Sequence, residues 1–391
     1  MRFEFATATK IVFGAGTLKE LEKLLPQYGT RAFVVTGSKS ERAAPLLNLL
    51  DAQKIIHTIF QTQGEPSVDD ARRGVAQAQE AGSDFVIAFG GGSAIDTGKA
   101  VAALLANPGD PLDYLEVIGA GKAIKNPSVP FIAIPTTAGT GSEVTSNAVL
   151  ASPEHKVKVS LRSPLMLPRL ALVDSELTHS SPPDVTAYSG LDALTQVIEP
   201  YVSNRANPLT DSLCEEAIGR AVHALPKVFR DGNDAAARED MALVSLFGGI
   251  ALSNAKLGAV HGFAGPIGGM FDAPHGAICA RLLPFVMLTN IQALQEREPD
   301  NPALAAYDWI AQRSFWGKSA APDSHKTSPQ TGGLWALQLC EALKVPPLSR
   351  WGITSADIPA IVEKSAVASS MQGNPIKLTT DEMAHILEQA L

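Results

Sequence analysis

Two histidines, His261 and His275, fall within the stretch Gly258–Ala280, GAVHGFAGPIGGMFDAPHGAICA. They are two of the eight in the chain, and their small, apolar neighbours give an imidazole few local partners. Neutral imidazole is the commonest protein ligand for transition metals, so a pair brought together by a short Gly- and Pro-rich loop is half of a metal site. The alternative is two hydrogen-bonded core histidines. A carboxylate comes from Gly190–Tyr201, GLDALTQVIEPY, where Asp192 and Gln196 lie four residues apart and share one face of a helix. Burying a carboxylate beside a bundle core is costly unless it is paired or metal-bound. Asp192 also reads as a charge near a helix N-terminus.

A second kind of chemistry is written in the glycines. Phe89–Lys99, FGGGSAIDTGK, follows a strand-like run and opens a helix, with Ser93 and Asp96 spaced as an N-cap and capping box. Successive glycines permit positive φ and a close ligand approach, and free N–H groups at a helix start hold phosphate. Pro135–Asn147, PTTAGTGSEVTSN, offers the hydroxyls of Thr136, Thr137, Thr140 and Ser142 at the end of another strand-like run, the edge where open α/β folds bind ligands. Gly37–Arg42, GSKSER, puts Gly37 where dinucleotide folds often carry a ribose-binding carboxylate, with Ser38, Lys39, Ser40 and Arg42 beside it. A missing carboxylate with basic residues nearby favours NADP over NAD. As bare strings, these segments are also ordinary turns and helix starts.

The elements that must position these groups fall into two halves. Up to about residue 175, continuously apolar runs (31–35, 55–60, 83–90, 129–136 and 170–174) alternate with helical periods at 41–53 and 69–81. That is the pattern of a parallel sheet covered on both faces. After the Pro-rich stretch 178–183 helices take over, at 188–201, 209–225, 235–253, 258–265, 334–343 and 355–368. The reading is therefore an α/β dinucleotide-binding domain over 1–180 and an all-α domain over 181–391, with a polar surface loop at 313–333. A chain of 391 residues suits two domains.

Bulk properties narrow the partners. The net charge of −8 comes with no compensating Lys/Arg cluster, so neither nucleic acid nor an anionic membrane is an expected partner. Cys214, Cys279 and Cys340 are odd in number and far apart. That argues against a disulfide framework or a cysteine-based zinc module, and for a reducing cytoplasm. Neither a signal peptide nor a membrane span is expected.

Together the motifs resemble the iron-containing, group III alcohol dehydrogenase family over nearly the whole chain. The likeness runs from KIVFGAGTLKEL (Lys10–Leu21) through GGGSAIDTGK, PTTAGTGSEVT, LALVDSELT and GLDALTQVIEPY to VHGFAGPIGGMFDAPHG, and ends at Asn374–Pro375. It implies NAD(P)-dependent interconversion of a small alcohol and an aldehyde or ketone, in a homodimer. It assigns pyrophosphate contacts to Gly91, Gly92 and Ser93, contacts near the adenine and nicotinamide portions to Thr136, Thr137 and Thr140, and a ribose contact to Lys158. With Asp96 and the Gly37–Ser40 loop, these are the expected cofactor residues. The metal, Fe²⁺ with Zn²⁺ as the alternative, is expected on Asp192, Gln196, His261 and His275, with Asp192, His261 and His275 catalytic and a pocket around Asp192, Ala193, Phe263 and Cys279.

Two departures matter. The family's usual metal set is one Asp and three His, and Gln196 stands where one His is expected. Gly265 stands where many members carry a proton-relaying His. Three readings therefore stay open beside the metal dehydrogenase. One is a metal-independent reductase like the maleylacetate reductases. Another is a lyase-type use of the fold, as in dehydroquinate synthase, which needs a basic carboxylate pocket that the helical half shows little of. The last is a cofactor-binding protein without catalysis.

Overall fold

The computed structural model describes residues 2–155, 157–314 and 327–391. Residues 5–180 form one compact unit; residues 181–391, with the N-terminal residues through Glu4, form another. Most of the expected loop at 313–333 lies outside the described residues, and its final part is helical instead.

The first unit contains β1 (Ile11–Phe13), α1 (Leu21–Leu24), β2 (Arg31–Thr36), α2 (Ala44–Ala52), β3 (Ile56–Gln61), α3 (Val68–Glu80), β4 (Phe85–Gly90), α4 (Gly92–Ala106), α5 (Pro111–Tyr114), β5 (Phe131–Pro135), β6 (Asn147–Ser152), β7 (Val157–Arg162) and β8 (Leu170–Val173). Six strands make a parallel sheet in the order β1-β8-β5-β4-β2-β3. Alternate residues feed opposite faces, which is why the central strands are apolar throughout. Val34, Ile87, Ile132 and Leu172 join the core under α1 and α2, whereas Phe33, Val35, Val86, Ala88 and Phe131 meet α4. Each fully buried Leu, Ile or Phe contributes about 1.5–3 kcal/mol. The antiparallel β6–β7 ribbon, which the motif reading treats as loop, covers a third core of Leu104, Leu150 and Leu161.

Chain order reverses between β2 and β4: β3 pairs on one side of β2 and β4 on the other. Open α/β sheets bind ligands beyond the carboxyl ends of the strands at such a switch point. The expected glycine and threonine loops end β2, β4 and β5, which are neighbours in the sheet.

The second unit has no strand among its described residues. Its helices are α6 (Pro183–Val202), α7 (Pro208–Arg230), α8 (Ala235–Ala255), α9 (Ala259–Met270), α10 (His275–Arg297), α11 (Ala303–Ser314), α12 (Pro329–Ala342), α13 (Ile358–Ala366) and α14 (Thr380–Ala390). Two expectations need correction here. The histidine stretch is mostly helix, since α9 continues through Pro266 to Met270 and only Phe271–Pro274 separates it from α10. And α10, absent from the sequence-based set, is long and apolar enough to cross a membrane, yet 78% of its most apolar window is buried inside the protein. It is a core helix, apolar all round, with Pro284 in its middle; neither feature gives the one-faced period by which helices are recognised.

Candidate functional site

In the second unit, α6, α9 and α10 each contribute to one cluster. Asp192 lies in the middle of α6, His261 in the first turn of α9, and His275 begins α10, with Cys279 one turn further. One donor atom from each of the four lies within 4.8 Å of all the others. The approach of α10 to α6 depends on Gly276, where a Cβ would come 2.6 Å from the Tyr188 carbonyl oxygen. That contact with backbone leaves no flexible side chain to yield, so glycine is required for His275 to reach Asp192.

The start of α9 is fixed by groups distant in sequence. A helix leaves its first N–H groups without internal partners. Here Ala259 N–H donates to Asn374 Oδ1 at 3.1 Å and Val260 N–H to Glu199 Oε1 at 2.6 Å. The other Glu199 oxygen, Oε2, is 2.6 Å from His261 Nδ1. Glu199 thus caps α9 and, by accepting from Nδ1–H, leaves Nε2 as the His261 nitrogen that faces Asp192 and Cys279. Gly258 permits this, because a Cβ there would be 3.0 Å from both Glu199 Oε1 and Asn374 Oδ1. Glu199 was not singled out in the sequence. The signal was its spacing, since Asp192, Gln196 and Glu199 repeat at one helical face.

Electrostatics in the cluster run against ordinary burial. Desolvation pushes His261 down, but the Cys279 sulfur, Glu199 and Asp192 outweigh it and hold its pKa well above the usual imidazole value. His275 is treated the same way by Cys279 and Asp192 and is pushed up to about 9. Burial would raise Asp192, yet the two imidazoles bring it below the usual carboxylate range. Asp192 Oδ1 is buried and makes no hydrogen bond of good geometry, its nearest ring nitrogens being His261 Nε2 at 3.4 Å and His275 Nε2 at 3.9 Å. A buried acceptor left in this way, ringed by imidazole nitrogens and a sulfur, fits a divalent cation. His275 marks the open side, with 34% of its side chain exposed against 7% for His261. Gln196 is buried one turn after Asp192, and Ala193 and Phe263 are buried on α6 and α9. At Gly265 a Cβ would meet nothing within 4 Å.

In the first unit the glycine loops work by proximity. None of Gly90, Gly91 and Gly92 adopts a positive φ, contrary to the expectation from the triple glycine. What they permit is contact. A Cβ on Gly90 would lie 3.3 Å from Gly37 N, one on Gly91 3.4 Å from Thr137 Oγ1, and one on Gly92 2.9 Å from Thr140 Cγ2. The loops after β2, β4 and β5 are thereby drawn together. Gly91 is the N-cap of α4 and no side chain caps the helix, so the proposed Ser93–Asp96 capping box is not formed. Asp96 lies too far inside the unit. Its carboxylate accepts from Ser142 Oγ and, at 2.9 Å, from Val149 N–H. The fully buried Lys99 ammonium donates to Ser142 O, Thr145 Oγ1 and Asn147 O at 2.7, 2.8 and 2.7 Å. Asp96 and Lys99 therefore anchor the threonine loop. The uncapped α4 N-terminus with Ser93 and the Thr136, Thr137 and Thr140 hydroxyls around it fits a pyrophosphate. Beside Gly37, Ser38 and Lys39 are exposed and Ser40 is half-buried, whereas the Arg42 guanidinium is occupied with Leu177 O at 3.1 Å. Lys158, on β7, is 3.4 Å from Glu65 Oε2.

Comparisons with known proteins agree on one family. A family model described as iron-containing alcohol dehydrogenase matches residues 8–175, and one described as Fe-containing alcohol dehydrogenase family, C-terminal, matches 186–391. The probable alcohol dehydrogenase EutG of Salmonella typhimurium is 42% identical over 65% of this chain. That alignment covers 64% of the relative's own length, less than two thirds. The NAD-dependent methanol dehydrogenase of Bacillus methanolicus is 31% identical over 97% of each chain. A crystal structure of 1,3-propanediol oxidoreductase superposes with a TM-score of 0.91 at 30% identity, over 100% of both chains.

Proposed function

Because this chain belongs to the iron-containing alcohol dehydrogenase family, we propose that it interconverts a small alcohol and its aldehyde or ketone with a nicotinamide dinucleotide as hydride carrier. The observation that carries this reading is the convergence of Asp192, His261, His275 and Cys279 donor atoms within 4.8 Å, around a buried carboxylate oxygen with no hydrogen bond of good geometry. A divalent metal on Asp192, His261 and His275, with Gln196 beside them, would polarise the substrate oxygen and lower the alcohol's pKa. The nicotinamide supplies the hydride chemistry itself.

The chain's own residues then have distinct tasks. Asp192 offers an anionic oxygen already stripped of water. Glu199 keeps a proton on His261 Nδ1, so that Nε2 is the nitrogen that would give up its proton to a bound metal. The exposed edge of His275 leaves the side from which a substrate approaches. On the first unit, Gly91, Gly92 and Ser93 at the start of α4 would hold the pyrophosphate, with Thr136, Thr137 and Thr140 as further polar contacts and Lys158 for the ribose. Gly37, Ser38, Lys39 and Ser40 would flank the adenosine ribose. No carboxylate stands at Gly37 and Lys39 is free to meet a 2′-phosphate, which favours NADP. With no imidazole at Gly265, this chain offers no side-chain proton relay at that position, and exchange would fall to water or to the cofactor's ribose hydroxyls.

The three free, buried cysteines suit a reducing cytoplasm, and exposed Phe3 and Phe5 suit a homodimer contact. The test is a panel of alcohols and aldehydes assayed with NAD(H) and NADP(H), with and without Fe²⁺ or Zn²⁺, on the native protein and on Asp192→Ala. Turnover that requires metal and is lost in the folded variant is expected. Near wild-type turnover in Asp192→Ala would sink the metal mechanism, and activity indifferent to chelator would leave the metal-independent reductase.

A further inference from the structure

Cys279 is fully buried on α10, one turn after His275, so the two side chains share the face that meets α6. Its sulfur is 3.6 Å from His275 Nε2 and 3.8 Å from His261 Nε2. The other two cysteines are placed differently. Cys340 donates to the Ala280 carbonyl at 3.1 Å, and Cys214 is a buried thiol pushed well up by desolvation and by the Asp211 and Glu215 carboxylates. Only Cys279 faces imidazole nitrogens and the buried Asp192 oxygen.

The separations have a geometric meaning. With metal–N and metal–O bonds of about 2.1 Å and a metal–S bond of about 2.3 Å, tetrahedral donors stand about 3.4 Å apart for N and O and about 3.6 Å apart for N and S. The pairs here are 3.4 and 3.9 Å for Nε2 to Oδ1, and 3.6 and 3.8 Å for Nε2 to Sγ. Four of the six pairs thus lie within about 0.5 Å of tetrahedral spacing, all six lie within 4.8 Å, and the position the resemblance assigns to a third imidazole is Gln196, whose amide is a weak donor for borderline-soft metals.

Building on the metal reading above, we propose that Cys279 is the fourth protein ligand of the metal centre, replacing the missing histidine and shifting its preference from Fe²⁺ toward Zn²⁺; the substrate oxygen would then enter as a fifth donor on the exposed side of His275. As the metal–sulfur bond forms, the thiol proton leaves to solvent, and the metal's charge is balanced by the thiolate and the Asp192 carboxylate. Thiolate and imidazole together suit Zn²⁺, which also binds more tightly than Fe²⁺ to a given N/O/S site.

The experiment uses the full chain stripped of metal and titrated with Co²⁺ as a spectroscopic probe, alongside Cys279→Ser and Cys279→Ala. Wild type should show a sulfur-to-cobalt charge-transfer band in the near ultraviolet, absent in both variants although they still bind Co²⁺. Offered Zn²⁺ and Fe²⁺ together without oxygen, wild type should take up Zn²⁺, and the variants should lose at least about tenfold in Zn²⁺ affinity. Unfolding midpoints near wild type establish that the variants fold. Bound Co²⁺ without the band in wild type, or variants with unchanged Zn²⁺ affinity, would overturn the assignment of Cys279 while leaving Asp192, His261 and His275 as a metal site. No binding of either ion to wild type would overturn both.

Discussion

Replacing Glu199 by Gln changes one atom and asks the site to do without a second acceptor. The wild-type carboxylate accepts from Val260 N–H and from His261 Nδ1–H, both at 2.6 Å, inside a region where the residue is 4% exposed. A glutamine amide has one oxygen and one NH₂. If the oxygen faces Val260, the NH₂ faces Nδ1, which must then accept, and the imidazole proton moves to Nε2, where the metal needs a lone pair. If the oxygen faces Nδ1–H, the NH₂ opposes Val260 N–H, and a buried backbone donor is left unpaired at a cost of about 1–3 kcal/mol. The first arrangement should weaken metal binding by about 10–100-fold, the usual effect of removing a group that orients a ligating histidine, and the second should appear as lost stability. The assay is competition between the metal-free protein and a chromophoric chelator for Zn²⁺, with the unfolding midpoint measured in parallel. A dissociation constant within twofold of wild type, in a variant that unfolds like wild type, would refute the claim that Glu199 sets the His261 tautomer.

Other consequences follow from the same geometry. Gly276→Ala places a methyl group 2.6 Å from the Tyr188 carbonyl oxygen; it should destabilise the protein by about 1–3 kcal/mol and lower metal affinity together, whereas a stable variant with intact metal binding would show that α10 can shift without moving His275. Gly37→Asp has open space for its side chain, so kcat/KM for NADP(H) should fall relative to NAD(H) by at least about tenfold, and an unchanged ratio would remove Gly37 from cofactor selection. Glu143 is fully buried with Oε1 unpartnered, and desolvation raises its pKa from 4.5 to about 7. The folded protein therefore binds more protons than the unfolded one between those values, and stability should fall as pH rises through that window, by roughly 3 kcal/mol at most. Denaturant titrations of Glu143→Gln should lack this slope, and curves parallel to wild type across the window would show that Glu143 does not cause it.

The parts of this protein that could be read from sequence are those whose signal is local. Continuous apolar runs announced β2, β4, β5 and β8 because both faces of the sheet are covered, and Asp192, His261 and His275 were found from residue type. What escaped depended on partners far along the chain. Cys279 matters as a donor only once α10 begins at His275, and α10 itself was masked by its uniform apolarity and Pro284. The capping box at Ser93–Asp96 had the right spacing, but Val149 and Ser142 claim the carboxylate. Glu199 belonged to a helix correctly expected, yet its role comes from the start of α9, some sixty residues on.

The proposed metal donors all lie between residues 192 and 279, and the proposed cofactor loops between 37 and 158, so each set belongs wholly to one compact unit. Under this assignment, the two recognition tasks can be inherited separately. A lineage could exchange its helical half, and with it the ion and the substrates handled, while keeping the same nucleotide carrier.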